Sequence, residues 1–471
     1  MNISSRIRGA IPNGWAVAAW LGALVGTACA TATETSTRSE LARIDADLAP
    51  LPEPVEPSAD LPEGEDPEFD GSLPAYLAYA FAHSPALRAT FEDWRAATHR
   101  PRQRRRLPEP TITYAGFVRS VETRVGPQRH RLGAMQWFPW PTKLTAAGQA
   151  AGLEAQAEQH RFEAHALQIA ADVSSAYWNL WRLQRRREVL RDEVEVLDTL
   201  SAQVRVRVEV SGAELADLAQ VDLMLSRARD RVAGIDEAEQ IAAAELVRVL
   251  GAPPGTATPV SPDAPATEEV SESVASLQAE AGRHPRVESL AIASDAAKQR
   301  VRSARADRAP SFGVGVDWIL TGPSSAMPSP ADSGKDAVAL SLSVKVPLWA
   351  RSYKAAEDEA RAGGAAMRAR AIDARNAVAA SIREHAARVR DDVRRVRVHE
   401  STLVPQAETT FESVLGSYAA GRSTVAELLL AERELVSLRD ELFEAQADYG
   451  TDMSRLESVV GRAVRTKGAR R

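Results

Sequence analysis

Two stretches of the chain alternate apolar and polar residues with a strict period of two, and the sequence holds too few such stretches to close a sheet on itself. In Ser311 to Trp318, Phe312, Val314, Val316 and Trp318 share one face, opposite Ser311, Gly313, Gly315 and Asp317. In Val338 to Val346, Val338, Leu340, Leu342, Val344 and Val346 share a face, opposite Ala339, Ser341, Ser343 and Lys345. Such alternation specifies strands of a sheet with one apolar and one polar side. A weaker pair lies upstream. There Ile112, Tyr114 and Val118 alternate with Thr111, Thr113 and Arg119, and Leu132, Ala134 and Phe138 with Arg131, Gly133 and Trp137. A length of about ten residues is that of a tilted transmembrane β-strand. Trp137, Trp140, Trp318 and Trp349 stand at strand ends, where interfacial aromatics are expected. The competing reading is a half-buried sheet of a soluble sandwich, but nothing else in the chain supplies strands to complete one. Four strands cannot close a membrane barrel, and an open edge in lipid leaves unpaired amides and carbonyls that cost several kcal/mol each. Strands of this kind that span a membrane must be shared between chains, and three copies would supply twelve.

The strands recur because the chain repeats with an offset of about 200 residues. One half opens at His83-Ser84-Pro85-Ala86-Leu87 and the other at His284-Pro285-Arg286-Val287. Each continues as a helix of about 20 residues (86–106 and 286–308) that stops at Leu107-Pro108 or Ala309-Pro310. A hairpin follows in each, 111–139 and 311–347, ending at Phe138-Pro139-Trp140-Pro141 or Val346-Pro347-Leu348-Trp349. Long stretches nearly free of Pro and Gly come next, 143–209 and 353–417, each about 100 Å if continuously helical. Their charges bar them from lipid, and apolar residues recur at helical spacing, as Val173, Ala176, Tyr177, Leu180 and Leu183 do. Short turns lead to partner helices: Val210-Ser211-Gly212 before 213–250, and Tyr418-Ala419-Ala420-Gly421 before 423–460. The expected domains are therefore a first repeat at 75–251, a linker at 252–272, a second repeat at 273–461 and a basic tail at 462–471. The expected fold is mainly α with a membrane β part: long antiparallel helical hairpins plus four strands per chain in a shared, trimeric twelve-stranded barrel.

The N-terminus reads as an export signal over 1–28. Arg6 and Arg8 precede an uncharged run from Trp15 to Ala28, too short for a membrane span. The single cysteine of the 471 residues, Cys29, stands where a signal peptidase would cut. Gly26-Thr27-Ala28-Cys29 resembles a lipoprotein cleavage box, which makes Cys29 a candidate for lipidation. Ordinary cleavage after Ala28-Cys29-Ala30 is the alternative. Residues 29–74 read as an acidic, proline-rich linker; between 50 and 74 there are seven prolines and eight acids with no basic residue. That 50–74 stretch is expected to be extended. A net charge of −6 argues against nucleic acid as a partner. One cysteine excludes a disulfide framework and a cysteine-based zinc site. There is no P-loop, no nucleophile elbow and no His-Glu-x-x-His pair, so the chain reads as no enzyme, with no cofactor and no metal site. His160 and His165 are five apart, poor spacing for ligands.

The duplicated helix starts, the proline before each first strand and the two proline-marked strand exits together resemble the TolC family of outer-membrane efflux proteins over about residues 75–460. Ser175-Ala176-Tyr177-Trp178-Asn179-Leu180 and Tyr418-x-x-Gly421 leading to Glu427-Leu428-Leu429 add to the likeness. The exit Gln136 to Leu144 resembles that of the family's heavy-metal efflux branch, with Thr142 where that branch has glycine. The resemblance implies a passive homotrimeric duct in the outer membrane with a large periplasmic part. A periplasmic adaptor (a membrane fusion protein) and an inner-membrane pump of the resistance-nodulation-division type would be its partners. Metal cations or small toxic compounds would be its cargo. It implies that Phe312, Val314, Val316, Trp318, Val338, Leu340, Leu342 and Val344 face lipid. It also implies that the turns carrying Gly212, Asp217, Tyr418, Gly421 and Glu427 form the periplasmic gate and adaptor contact. Leu430 stands where the family often has a further acid. The same carboxylates read without the family are solvated acids at helix starts. A periplasmic coiled-coil scaffold is the alternative function, and it leaves the alternating strands unexplained.

Overall fold

The computed structural model describes residues 32–49, 67–209 and 214–467. The chain groups into two compact units, and these do not follow the sequence repeats. One unit takes residues up to 42, 95–155 and 295–364; the other takes 43–94, 156–294 and 365–471. Each repeat thus contributes to both.

The first unit holds the sheet. Strands β1 (Thr111–Thr123), β2 (Gly126–Phe138), β3 (Ser311–Thr321) and β4 (Ala337–Lys345) form an antiparallel meander in the order β1-β2-β3-β4. The two hairpins, far apart in sequence, are therefore neighbours through the β2–β3 ladder, which runs from Gln128 opposite Thr321 to Phe138 opposite Phe312. The β1–β2 turn needs glycine: Gly126 has φ +133°, and a Cβ there would collide with the Gly322 carbonyl oxygen. The 322–336 connection is fastened to that turn by Gly322 N to the Pro127 carbonyl and Gly334 N to the Val125 carbonyl, both 2.7 Å. Arg124 adds an ion pair to Asp332. At the helical end of this unit, Glu357 is buried and binds three guanidinium groups, of Arg305 (2.6 Å), Arg308 (2.7 Å) and Arg361.

Among the described residues, three short or medium helices come first: α1 (Ala32–Asp47), α2 (Leu73–His83) and α3 (Pro85–Arg104). The linker expected over 29–74 holds a helix, α1, ahead of its proline-rich part. The prolines begin only at Pro50, and Glu40 to Asp47 contains helix formers with nothing to break them. Asp45 of α1 pairs with Arg88 of α3 at 3.1 Å. Helix α4 (Pro141–Glu209) runs 69 residues without interruption, and α5 (Leu215–Leu250) returns from it, ending on Gly251 in the left-handed conformation. The second repeat continues through α6 (Val274–Ala279) and α7 (Pro285–Ala306) to the long pair. That pair is α8 (Ala350–Val398) and α9 (Val404–Ala419) followed by α10 (Val425–Val460). The unbroken helix expected over 353–417 is corrected here: a π-helical segment, His399–Leu403, separates α8 from α9. Pro405 has no N–H to give the carbonyl four residues back, and a wider turn absorbs the mismatch.

Apolar clusters of buried side chains hold the helical unit. Leu197, Leu200 and Val204 of α4 meet Val221 and Leu225 of α5, Tyr418 of α9, and Val425, Leu428 and Leu429 of α10. A second cluster joins Val378, Ile382, Val389 and Val393 of α8 to Leu456 and Val460 of α10, with Leu277 and Val287. Close helix approach explains one glycine. A Cβ on Gly450 of α10 would lie 2.5 Å from the Trp178 ring of α4. Tyr177, its neighbour, donates its hydroxyl to the Gly71 carbonyl at 3.0 Å. The 252–272 segment is laid on its own unit, since Ser261 N donates to that same carbonyl at 2.9 Å. The basic tail is held as far as Lys467. Arg462 binds Glu272 (2.8 Å) and Glu280 (3.0 Å), and Arg465 binds Glu272 (3.1 Å).

Candidate functional site

The meander register stacks the apolar residues of all four strands into rungs. Ile112, Ala134, Val316 and Leu340 form one; Tyr114, Leu132, Trp318 and Val338 form the next. Phe312 faces Phe138 and Val344, and Val314 faces Leu342. These side chains are exposed: Val338, Leu340, Leu342 and Val344 are 68, 86, 75 and 51 % accessible. Every residue expected on a lipid face thus lies on one contiguous, uncovered apolar face. Monomeric soluble proteins rarely present one of this extent.

The opposite face is built from small and polar residues. One rung is Thr113, Gly133, Asp317 and Ala339, and Gly313 and Gly315 face Ser343 and Ser341. Arg131 binds Asp317 at 3.0 Å. Trp137 lies across Gly313, where a Cβ would come within 3.1 Å of the ring, and Lys345 stands over that ring at 4.9 Å. The two edges, β1 and β4, have no strand partner among the described residues.

The helix turns bring together most of the residues expected at a gate. Gly212, like Cys29, lies outside the described residues. Asp217 is the third residue of α5, and its Oδ2 accepts from Glu214 N at 3.4 Å. Glu427 holds the same place in α10 with tighter geometry: it accepts from Thr424 N at 2.9 Å and from the Ser423 hydroxyl at 2.8 Å. Those bonds, the backbone one first, hold its carboxyl below the usual glutamate range. Both acids stand at helix N-termini, as the solvated-acid reading expects. Tyr418 is buried, with the Arg207 guanidinium 4.6 Å from its ring centre, and Arg207 donates to the Tyr418 carbonyl at 3.4 Å. The end of α4 is thereby tied to the second turn. Gly421 has φ +70°, and Leu430 is exposed.

Sequence reading missed the buried acids of the helical unit. Glu432 is 4 % exposed and neither carboxylate oxygen has a partner; burial, and then the neighbouring Glu193, push it up to about 7. Asp392 is also buried, and burial followed by Asp452 and Asp448 raises it to about 7. A signal was present. Leu428, Glu432 and Leu435 fall on one helical stripe, as do Val389, Asp392 and Val396, so each acid occupies a core position. His160 serves its own surroundings, 2.7 Å from Glu163. Among the described residues, no helix is long and apolar enough to cross a membrane, and no three His, Cys, Asp or Glu side chains are gathered to hold a metal ion.

A sheet apolar on one side and polar on the other, in a chain of long charged helices, has the pattern of a membrane β-sheet. Residues 277–462 match the family described as outer membrane efflux protein. No curated protein matches the sequence. Among solved structures the chain is similar to the outer membrane protein VceC of Vibrio cholerae. That match has 20 % identity and a TM-score of 0.68, and covers 83 % of this chain and 96 % of that one. It is similar to CusC, whose structures concern transmembrane channel formation, at 15 % identity and TM-score 0.70, covering 83 % and 92 %. It is similar to the CmeC outer membrane channel of Campylobacter jejuni at 12 % identity and TM-score 0.69, covering 90 % and 96 %. Residues 277–462 thus carry the match to the outer membrane efflux protein family, and the fold over most of the chain is that of these outer-membrane channel structures. The matched family and the fold are those of outer-membrane channels and not of enzymes.

Proposed function

We propose that three copies of the chain form one twelve-stranded barrel in the outer membrane and a continuous export duct. The observation that carries this reading is the sheet: four strands, an uncovered apolar face and two unpaired edges. In lipid each unpaired backbone group costs several kcal/mol, and pairing β4 of one copy with β1 of the next removes both edges. The polar face then lines the channel. The duct does no chemistry of its own; an inner-membrane pump of the resistance-nodulation-division type supplies the energy through a periplasmic adaptor. The helix turns at Gly212 and Gly421 form the periplasmic entrance and meet that adaptor. Cargo is metal cations or small toxic compounds, with the strand exit at Gln136 to Leu144 favouring the metal branch. Residues 1–28 are the signal peptide, and Cys29 is either the lipidated first residue or removed.

Native mass spectrometry of the detergent-extracted protein, followed by planar-bilayer conductance, tests the assembly. A trimer that passes current supports it. A stable monomer, or a trimer that passes none, leaves the periplasmic scaffold in its place. For the entrance, three copies put Asp217 and Glu427 around one axis, where rings of carboxylate favour cations. The double variant Asp217→Ala/Glu427→Ala is expected to change resting conductance or cation preference. Unchanged values reject the gate role.

A further inference from the structure

A cavity of about 410 Å³ lies between α4, α9 and α10. Five carboxylates line it, those of Asp192, Glu193, Glu408, Glu412 and Glu432, against a single lining cation, Arg439. Arg439 is already engaged with Glu408 at 2.7 Å. Arg231, reaching from α5, binds one oxygen of Glu193 and leaves the other without a partner. Glu432 is the decisive group: it lines the cavity, is 4 % exposed, and has no hydrogen-bond partner on either oxygen. The rest of the wall is apolar, from Val189, Val196, Phe411, Leu435 and Val436.

A buried carboxylate without a partner is unfavourable unless a cation or a proton neutralises it. The chain spends a core position of α10 on it where leucine would fit the helical stripe. A small hard metal ion is a poor occupant, since such ions need several oxygens converging at short range. No three acids of the described residues converge in that way. A cation whose charge sits on an apolar body matches both parts of the wall. Carboxylates take the charge, aliphatic side chains take the body, and the Phe411 ring offers a face for cation–π contact.

We propose that this cavity is a binding site for a monovalent organic ammonium ion, with Glu432 as its principal counter-charge and Glu193 as the second. The proposal does not rest on the chain's conducting, so the two can fail separately.

The test is isothermal titration of the full-length, detergent-extracted protein with benzyltrimethylammonium chloride at pH 8, with benzyl alcohol as the neutral probe. Saturable binding of about one cation per chain is expected, and benzyl alcohol should not compete. Glu432→Gln, which keeps the shape and removes the charge, should weaken binding at least tenfold. The unaltered protein should bind less tightly at pH 6, where Glu432 takes up a proton amid Glu193, Arg231 and Arg433. That second measurement holds even if the variant fails to assemble. Absence of saturable binding at pH 8 overturns the proposal and leaves the proton as the neutralising partner. Equal affinity in Glu432→Gln, no loss at pH 6, or displacement by equimolar Mg²⁺ or Ni²⁺ also overturns it.

Discussion

Leu342 in β4 and Leu430 in α10 are exposed to a similar degree, 75 and 67 %, yet their surroundings differ in kind. Leu342 is one of a continuous field: Val314 stands across from it, and Leu340 and Val344 flank it on the same face. Leu430 is a lone leucine between Glu427 and Glu434 on a helix surface, one turn from each. Isolated apolar residues on a water-facing surface are ordinary, whereas a field of them requires a nonaqueous neighbour. Exposure alone therefore does not say which solvent a side chain meets; the company it keeps does. The helical unit makes the same point from the other side, since it brings charged groups inward and pairs most of them.

The sharpest way to break this comparison is to place the same charge at both leucines. Leu342→Arg is expected to cost about 2–4 kcal/mol if its place is near the bilayer midplane, and Val316→Arg, on the neighbouring strand, should behave alike. Leu430→Arg should stay within about 0.5 kcal/mol, as surface substitutions do. Heat-resistant oligomer recovered from membranes, with urea unfolding in lipid vesicles, reads both. Normal assembly of Leu342→Arg and Val316→Arg would remove the lipid assignment of the sheet face.

The field on β3 and β4 was legible because strict alternation leaves no other structure with that pattern. The first hairpin was fainter because the β1–β2 pairing shifts register between Gly116 and Val121, so period two fails midway. The pairing of β2 with β3 is a long-range choice that no local pattern encodes. Helices were legible by length, but Pro405 hid its effect: one missing donor in a long helical sequence can kink, break or widen the turn, and only packing decides which. The turns before α5 and α10 could be located, and not their unequal capping, since that depends on distances of tenths of an ångström. The cavity acids required reading a glutamate as a departure from an apolar stripe in a segment where glutamates are common.

Those acids supply the next expectation. For Glu432 and Asp392 the folded pKa is raised to about 7 from 4.5 and 3.8, so the folded state holds more protons than the unfolded one between those values. Stability from these groups is greatest in acid, declines as pH rises through that window, and is lowest above it. Glu432→Gln and Asp392→Asn should each stabilise the protein at pH 8 by about 1–3 kcal/mol. The gain should shrink as pH falls through that window and approach zero only below about pH 4. Thermal unfolding of the protein across that range measures it. A gain independent of pH would mean that shape and not charge sets the strain in the helical unit. The surface acids of the same helices, such as Glu427, should show the opposite sign. Its carboxyl is held low, so its stabilisation is present above the unfolded value and lost as pH falls through the folded one.

The smallest expected effect separates the two turns that lead into α5 and α10. In the second, Thr424 and Glu427 bond reciprocally: the Thr424 hydroxyl accepts from Glu427 N at 3.2 Å and Glu427 accepts from Thr424 N at 2.9 Å. In the first, the corresponding bond from Glu214 N to Asp217 is 3.4 Å, near the limit of a useful hydrogen bond. A threonine cap removed by alanine costs about 1 kcal/mol, so Thr424→Ala should loosen the start of α10 by that amount. Glu214→Ala should loosen α5 by about a few tenths, because glutamate is a weak cap to begin with. Amide hydrogen exchange in the first turn of each helix reads the two separately. Arg207 adds to the asymmetry, since it fastens α4 to the Tyr418 carbonyl at the second turn. If entrance opening begins where local structure is weakest, it begins at the first turn, and Thr424→Ala should bring the two turns closer to equal protection. Equal loosening by both alanine variants would show instead that tertiary packing around Leu428 and Val221, and not capping, sets the order of both helix starts.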